Sequence, residues 1–125
     1  ERVSALRAVL PESFAILSGD DSLTLPFIGA GANGVISVAS NIVPRAVAEL
    51  VNAALAGRFD EARRMHFRWY PLFKDLFIEP NPVPAKHALA LRGEMLADVR
   101  LPLCEMADAT RAKLETTLRN LQLIS

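Results

Sequence analysis

A single cysteine, Cys104, is all the sequence holds, so no internal disulfide framework is possible and a reducing, cytoplasmic setting is expected. No apolar stretch reaches the ~18 residues that a membrane-spanning helix requires, and the residues after Glu1 show no signal-peptide pattern. Neither sign of charge prevails: 14 basic and 14 acidic side chains give a net charge of +0 and form no like-charged run. No nucleic-acid or membrane surface is therefore expected. The two histidines, His66 and His87, lie far apart, and neither has a second His or Cys at ligand spacing. With three or four convergent ligands needed, no metal site is expected, and both read as solvent-facing or interface residues. Cys104 has no neighbouring His and reads as a buried structural thiol. No phosphate cradle and no cofactor motif stand out.

What the sequence does have is apolar material, 51% of its 125 residues, rich for a small domain. Val3, Ala5, Leu6, Val9 and Leu10 fall on one stripe of a helix from Arg2 to Leu10, which Pro11 ends. Phe14–Ser18 is a short, nearly continuous apolar run, the pattern of a strand buried on both faces. Gly19-Asp20-Asp21-Ser22 is a polar turn suited to cap a helix from Leu23 to about Gly29. A second strand is expected over Val35–Val38. Pro44 suits the first turn of a helix running to Leu55, with Gly57 as its C′ residue. The pattern from Asp60 to Phe77 is a long helix with Pro71 inside it. Met65, Phe67, Trp69, Leu72, Phe73, Leu76 and Phe77 give it a dense apolar band, read as a packing face. Pro80, Pro82 and Pro84 punctuate the chain before a helix from Ala85 to Arg92, closed by Gly93. Lys86 is placed to pair with Glu79. Leu101-Pro102-Leu103 is an extended linker, and Asp108 is placed to cap a last helix whose apolar face is Ala112, Leu114, Leu118 and Leu121.

The loop Gly29-Ala30-Gly31-Ala32-Asn33-Gly34 matches G-x-G-x-x-G, yet it leaves a helix and enters a strand. A dinucleotide fingerprint does the reverse, so the glycines read as a helix C-cap and a tight turn. Two strands joined through a helix form one βαβ crossover. Two parallel strands alone leave long apolar edges and both faces to cover. The order reads as a piece of a larger α/β fold or, in the alternative, as a non-catalytic interaction module that buries its apolar faces on a partner.

Three blocks carry a family resemblance: Phe14–Asp21, Gly31–Val38, and Phe77-Ile78-Glu79-Pro80-Asn81-Pro82-Val83-Pro84-Ala85-Lys86. In this order and spacing, together with Leu101-Pro102-Leu103 and the closing helix, they resemble dihydrodipicolinate synthase, within the pyruvate-dependent aldolase superfamily. The resemblance covers nearly all of the chain but about the last two fifths of a typical member. It implies a partial (β/α)8 TIM barrel, strands seven and eight with their helices, over residues 1–57, and a helical C-terminal domain over residues 58–125. The activity implied is a Schiff-base lyase, without cofactor or metal, condensing pyruvate with aspartate semialdehyde in lysine biosynthesis as a homo-oligomer, a dimer or tetramer.

The resemblance places the Schiff-base lysine upstream of Glu1, so no catalytic residue is assigned within the chain, and the 125 residues alone are expected to be inactive. Lys74, Lys86, Lys113 and Tyr70 match none of the family's catalytic positions. The substrate-binding positions it implies are Gly19 and Ile36, lining the pyruvate pocket largely through backbone, and Asp20 and Asp21, shaping the entrance for the second substrate. From the residues alone, the two aspartates read as helix caps. Val38 stands where sialic-acid lyases carry a hydroxyl, which disfavours that activity. Keto-deoxy-sugar-acid and 4-hydroxy-2-oxoglutarate aldolases remain alternatives.

Overall fold

The first helix, α1 (Arg2–Val9), stops short of Pro11, and Leu10 takes the extended φ −95°, ψ 148° of a chain that proline has turned out of the helix. The computed structural model describes all of Glu1–Ser125, in two units, Glu1–Arg68 and Trp69–Ser125. Only Val3 of the expected α1 stripe is buried, and Val9 is 78% exposed.

In the first unit, β1 (Leu17–Ser18) pairs in parallel with β2 (Gly34–Val35), Leu17 opposite Gly34 and Ser18 opposite Val35. The ladder is extended by Asn33 N–H to Ile16 O at 2.7 Å and Ile36 N–H to Ser18 O at 2.8 Å. Between the strands lie a 3-10 turn (Asp21–Leu23) and the helix α2 (Thr24–Gly29). Both strands are shorter than the apolar runs suggest. The first is also not buried on both faces: Ile16 and Ser18 are buried, while Phe14 and Leu17 are about half exposed. The reason is one-sided cover. Val3, Ile16 and Ala32 pack together with Leu10 and Phe27, whereas the opposite side of each strand has nothing in this unit to pack on, and pleating sends alternate side chains there.

After β2 a 3-10 turn (Ala39–Asn41) leads into α3 (Pro44–Leu55), with Pro44 in its first turn, where the missing N–H costs no helical bond. Val47, Leu50, Ala53 and Ala54 are its buried face. It ends in a Schellman motif: Gly57 adopts φ +76°, and the N–H groups of Gly57 and Arg58 reach the carbonyls of Ala54 and Ala53 at 3.0 and 2.9 Å. Ile28, Ala53, Ala54 and Ala62 form a second cluster, with Leu25 and Val51 against it.

Helix α4 (Phe59–Asp75) contains Pro71 and ends two residues before the expected Phe77. Leu72, Phe73 and Leu76 are buried, but Phe67 and Phe77 are exposed, because seven apolar positions in this stretch span more than one helical face. In the second unit, α5 (Val83–Leu91) starts two residues before Ala85: Pro82 flanks it and Pro84 sits in its first turn, where proline is tolerated. Gly93, at φ +73°, closes it with Glu94 N–H on Leu89 O at 3.0 Å. In α6 (Asp108–Asn120), Leu114 and Leu118 are buried and Ala112 is exposed.

Four side-chain expectations in this unit are corrected. Asp108 does not cap α6; it is the helix's first residue. The Glu79 carboxylate caps instead, accepting from Ala107 N–H at 3.0 Å and from the Thr110 hydroxyl. Lys86 therefore does not pair with Glu79; its ammonium donates to the Asp98 carbonyl. Cys104 is exposed, since its linker lies along the surface without folding into the core. His87 is mostly covered and faces Glu115 at 3.6 Å, rather than pointing to solvent. Asp75, 5% exposed, is held by Lys113 at 3.2 Å and the Thr117 hydroxyl at 2.6 Å, tying the end of α4 to α6.

Candidate pocket wall at the carboxyl ends of the strands

Ser18, the last residue of β1, is 1% exposed and folds the chain back on itself. Its hydroxyl donates to the Asp20 carbonyl at 2.8 Å and accepts from the Asp20 N–H at 3.1 Å. Gly19 lies at the apex of this turn, and a Cβ there would meet nothing within 4 Å. The turn thus leaves open space beside the strand end.

The two aspartates that follow point to different tasks. Asp20 caps the 3-10 turn: its Oδ1 accepts from Ser22 N–H and hydroxyl, both at 2.7 Å, and from Leu23 N–H at 3.2 Å. Asp21 is 2% exposed and reaches across to the other strand end, where its Oδ2 accepts from Val38 N–H at 3.1 Å and Ala39 N–H at 3.0 Å. Ile36, just past β2, keeps its backbone on the ladder through Ser18 O, while its side chain is 72% exposed. Ser37 closes the next turn, its hydroxyl accepting from Ser40 N–H at 2.8 Å.

Gly19, Asp20, Asp21 and Ile36 therefore come together at the carboxyl ends of β1 and β2. The structure places capping bonds on both aspartates. Lys74, Lys86 and Lys113 all belong to the second unit; Lys86 and Lys113 are engaged there by Asp98 and Asp75.

At the opposite, amino-terminal ends of the strands, sequence pattern did not single out the residues that matter. The Arg7 guanidinium donates to the carbonyls of Phe14 at 3.1 Å, Gly31 at 2.9 Å and Pro11 at 3.4 Å, and to Asn33 Oδ1 at 3.1 Å. Asn33 Oδ1 also accepts from Ile16 N–H at 2.9 Å. The available signals were an Arg in the last turn of a helix and an Asn just before a strand. Gly31, at φ +101°, lies against the Arg7 stem, where a Cβ would sit 3.4 Å from Cγ.

His66 is buried rather than solvent-facing: its place on α4 turns it inward. Desolvation holds its imidazole below the ordinary pKa, because burial disfavours the charged form. No three His, Cys, Asp or Glu side chains gather closely enough to hold a metal ion, and no helix is long and apolar enough to cross a membrane.

The Dihydrodipicolinate synthetase family model matches residues 1–121. The chain belongs to that family. Among curated members, the 4-hydroxy-tetrahydrodipicolinate synthase of Aquifex aeolicus is 50% identical over 123 residues, which is 98% of this chain and 42% of the relative. That of Methanocaldococcus jannaschii is 50% identical over 109 residues, 87% of this chain and 38% of the relative. The solved 4-hydroxy-tetrahydrodipicolinate synthase of Methylacidiphilum fumariolicum superposes with a TM-score of 0.95 at 53% identity, over 97% of this chain and 40% of that one. The chain thus spans about two fifths of the length of these synthetase-family relatives.

Proposed function

We propose that this chain supplies part of a cytoplasmic, homo-oligomeric Schiff-base lyase, a dimer or tetramer, that condenses pyruvate with aspartate semialdehyde. Its residues 1–57 would be strands seven and eight of a (β/α)8 barrel with their helices, and residues 58–125 its C-terminal helical domain. The observation that carries this reading is the match of nearly the whole chain, in sequence and in fold, to two fifths of synthases that bear that name. The open side of the β1–β2 pair agrees with it, since further barrel strands and their side chains would cover Leu17 and Ile36.

In such a barrel the chemistry sits at the carboxyl ends of the strands, where Gly19 and Ile36 lie. A lysine amine attacks the pyruvate carbonyl, water leaves, and an imine forms. Loss of a methyl proton gives the enamine, whose carbon attacks the aldehyde; the condensed product then cyclises. That lysine must be partly neutral at working pH, which a desolvated pocket favours. The Ile36 side chain supplies an apolar wall for it. Gly19 leaves room for a small keto acid to lie against the backbone, and Asp20 and Asp21 shape the second-substrate entrance through the turns they hold. None of Lys74, Lys86 and Lys113 serves as the Schiff-base lysine, which lies on the part of the synthase that precedes these residues. The 125 residues alone are therefore inactive.

The test is substrate choice. The natural polypeptide that contains these residues should consume pyruvate with aspartate semialdehyde, and do so faster than with glyceraldehyde or glyoxylate. Preference for either of those aldehydes would move the assignment to a sugar-acid or 4-hydroxy-2-oxoglutarate aldolase. Turnover by the 125 residues alone would overturn the placement of the lysine.

A further inference from the structure

The structure assigns to Asp21 a positioning role: we propose that it holds the Ile36–Ala39 wall of the keto-acid pocket against the Gly19 turn, without touching substrate. The inference rests on the pyruvate-lyase reading and goes beyond it in naming how the pocket is kept to size.

Asp21 is 2% exposed, so its carboxylate is not presented to an incoming ligand. Its Oδ2 is committed to two backbone donors 17 and 18 residues downstream, Val38 N–H at 3.1 Å and Ala39 N–H at 3.0 Å. The backbone ladder between the strands ends at Ile36 N–H on Ser18 O. Past that bond no backbone hydrogen bond joins the two strand-end loops, and the Asp21 side chain carries the connection. An ionised acceptor binding N–H groups gives shorter and stronger bonds than a neutral one, and here it satisfies the first donors of the 3-10 turn Ala39–Asn41. The tie also sets a distance. Gly19 stands two residues before Asp21, and Ile36 two before Val38, so the bond length fixes how far apart the two pocket-lining positions stand. Asp20 does not share this role: its bonds all stay within its own turn.

A wall held at the wrong distance weakens binding of the small keto acid before it slows chemistry on the bound one. Steady-state kinetics of the natural polypeptide carrying Asp21→Asn or Asp21→Ala separates the two effects. Asparagine keeps an acceptor oxygen but loses the charge; it should raise KM for pyruvate about threefold with kcat retained. Alanine should raise KM about tenfold or more, kcat again falling less. Discrimination between pyruvate and 2-oxobutyrate should narrow in the same order, because a slackened wall admits the longer keto acid. If the alanine variant does not fold, the asparagine variant decides alone: a raised KM supports the tie, an unchanged KM overturns it. Lowered thermal stability with unchanged KM and unchanged discrimination would reduce Asp21 to a structural bond. A rise confined to the KM for aspartate semialdehyde would overturn the tie as a keto-acid wall and leave Asp21 with the second-substrate entrance alone. Failure of the wild-type protein to form a borohydride-trapped pyruvate adduct would sink the underlying lyase reading; a wild-type adduct with unaltered variants would sink the positioning role alone.

Discussion

The two ends of the β1–β2 pair are tied by side chains of opposite character. At the amino-terminal end a cation does the work: Arg7 donates to the carbonyls of Pro11, Phe14 and Gly31. At the carboxyl-terminal end a carboxylate does it: Asp21 accepts from the N–H groups of Val38 and Ala39, while Asp20 caps its own turn through those of Ser22 and Leu23. The difference follows from helix polarity. Helices α1 and α2 end near the first location, where carbonyls of the loops that follow them face the guanidinium, while turns begin at the second and leave N–H groups. The side chain recruited is whichever completes the backbone left over. The same rule holds in the second unit, where Glu79 reaches the start of α6. The donor collects at one end, and the acceptors at the other hold the turns of the candidate site.

The largest effect on this contrast should come from Asp21→Ala. Leaving the buried Ala39 N–H and the part-buried Val38 N–H unsatisfied costs about 2–6 kcal/mol at ~1–3 each, seen as a lower urea midpoint, and only this end should also change pyruvate binding. Arg7→Ala should cost less, about 1–2 kcal/mol, because its acceptors lie near the surface and water can replace the guanidinium. It should leave the KM for pyruvate as it was. Arg7→Lys should not rescue it, since one ammonium cannot span four oxygens as a planar fork does. An altered pyruvate KM in Arg7→Ala would break the division between the ends. Glu79→Ala should cost about 1 kcal/mol, the usual worth of a helix cap, and fray α6 in hydrogen exchange.

The smallest effect concerns pH. His66 is held below its ordinary value of 6.5 by desolvation, so below that pH the unfolded chain binds the proton more readily than the folded one. The stability that the neutral imidazole contributes is fully present above pH 6.5 and is lost as pH falls below it. Urea midpoints from pH 8 to pH 5 should show this decline, and His66→Gln should flatten it. Because His66 lies at neither strand end, Asp21→Asn and Arg7→Ala should leave the slope in place.

What was legible in the sequence is mostly local. Pro44 and Gly57 mark α3 to the residue, and Gly93 marks the end of α5, because these residues act through their own φ angles. Three ordered blocks, Phe14–Asp21, Gly31–Val38 and the proline-rich Phe77–Lys86, pointed to the family. Less legible was anything decided by a distant partner. Phe14–Ser18 reads as a fully buried strand, but pairing and cover extend only as far as neighbouring elements provide them, so Leu17 stays half exposed. Glu79 was expected to meet Lys86, its near neighbour in sequence, yet the fold brings it to Ala107 and Thr110. Asp21 could be read as a cap, but not as one for a turn 17 residues away. Arg7 and Asn33 gave no clear pattern, since apart from the bond between them their partners are backbone atoms that any sequence would supply. Cys104, in an apolar linker without a neighbouring His, was expected to be buried, and the path of that linker leaves it exposed.

On the proposed reading, this chain forms the wall, and not the nucleophile, of a pyruvate Schiff-base site. The most direct measurement is peptide mapping of the natural polypeptide after incubation with pyruvate and borohydride. A single trapped pyruvate is expected on a lysine that precedes Glu1, with Lys74, Lys86 and Lys113 unmodified. An adduct on any of those three lysines, or none anywhere, would contradict that reading.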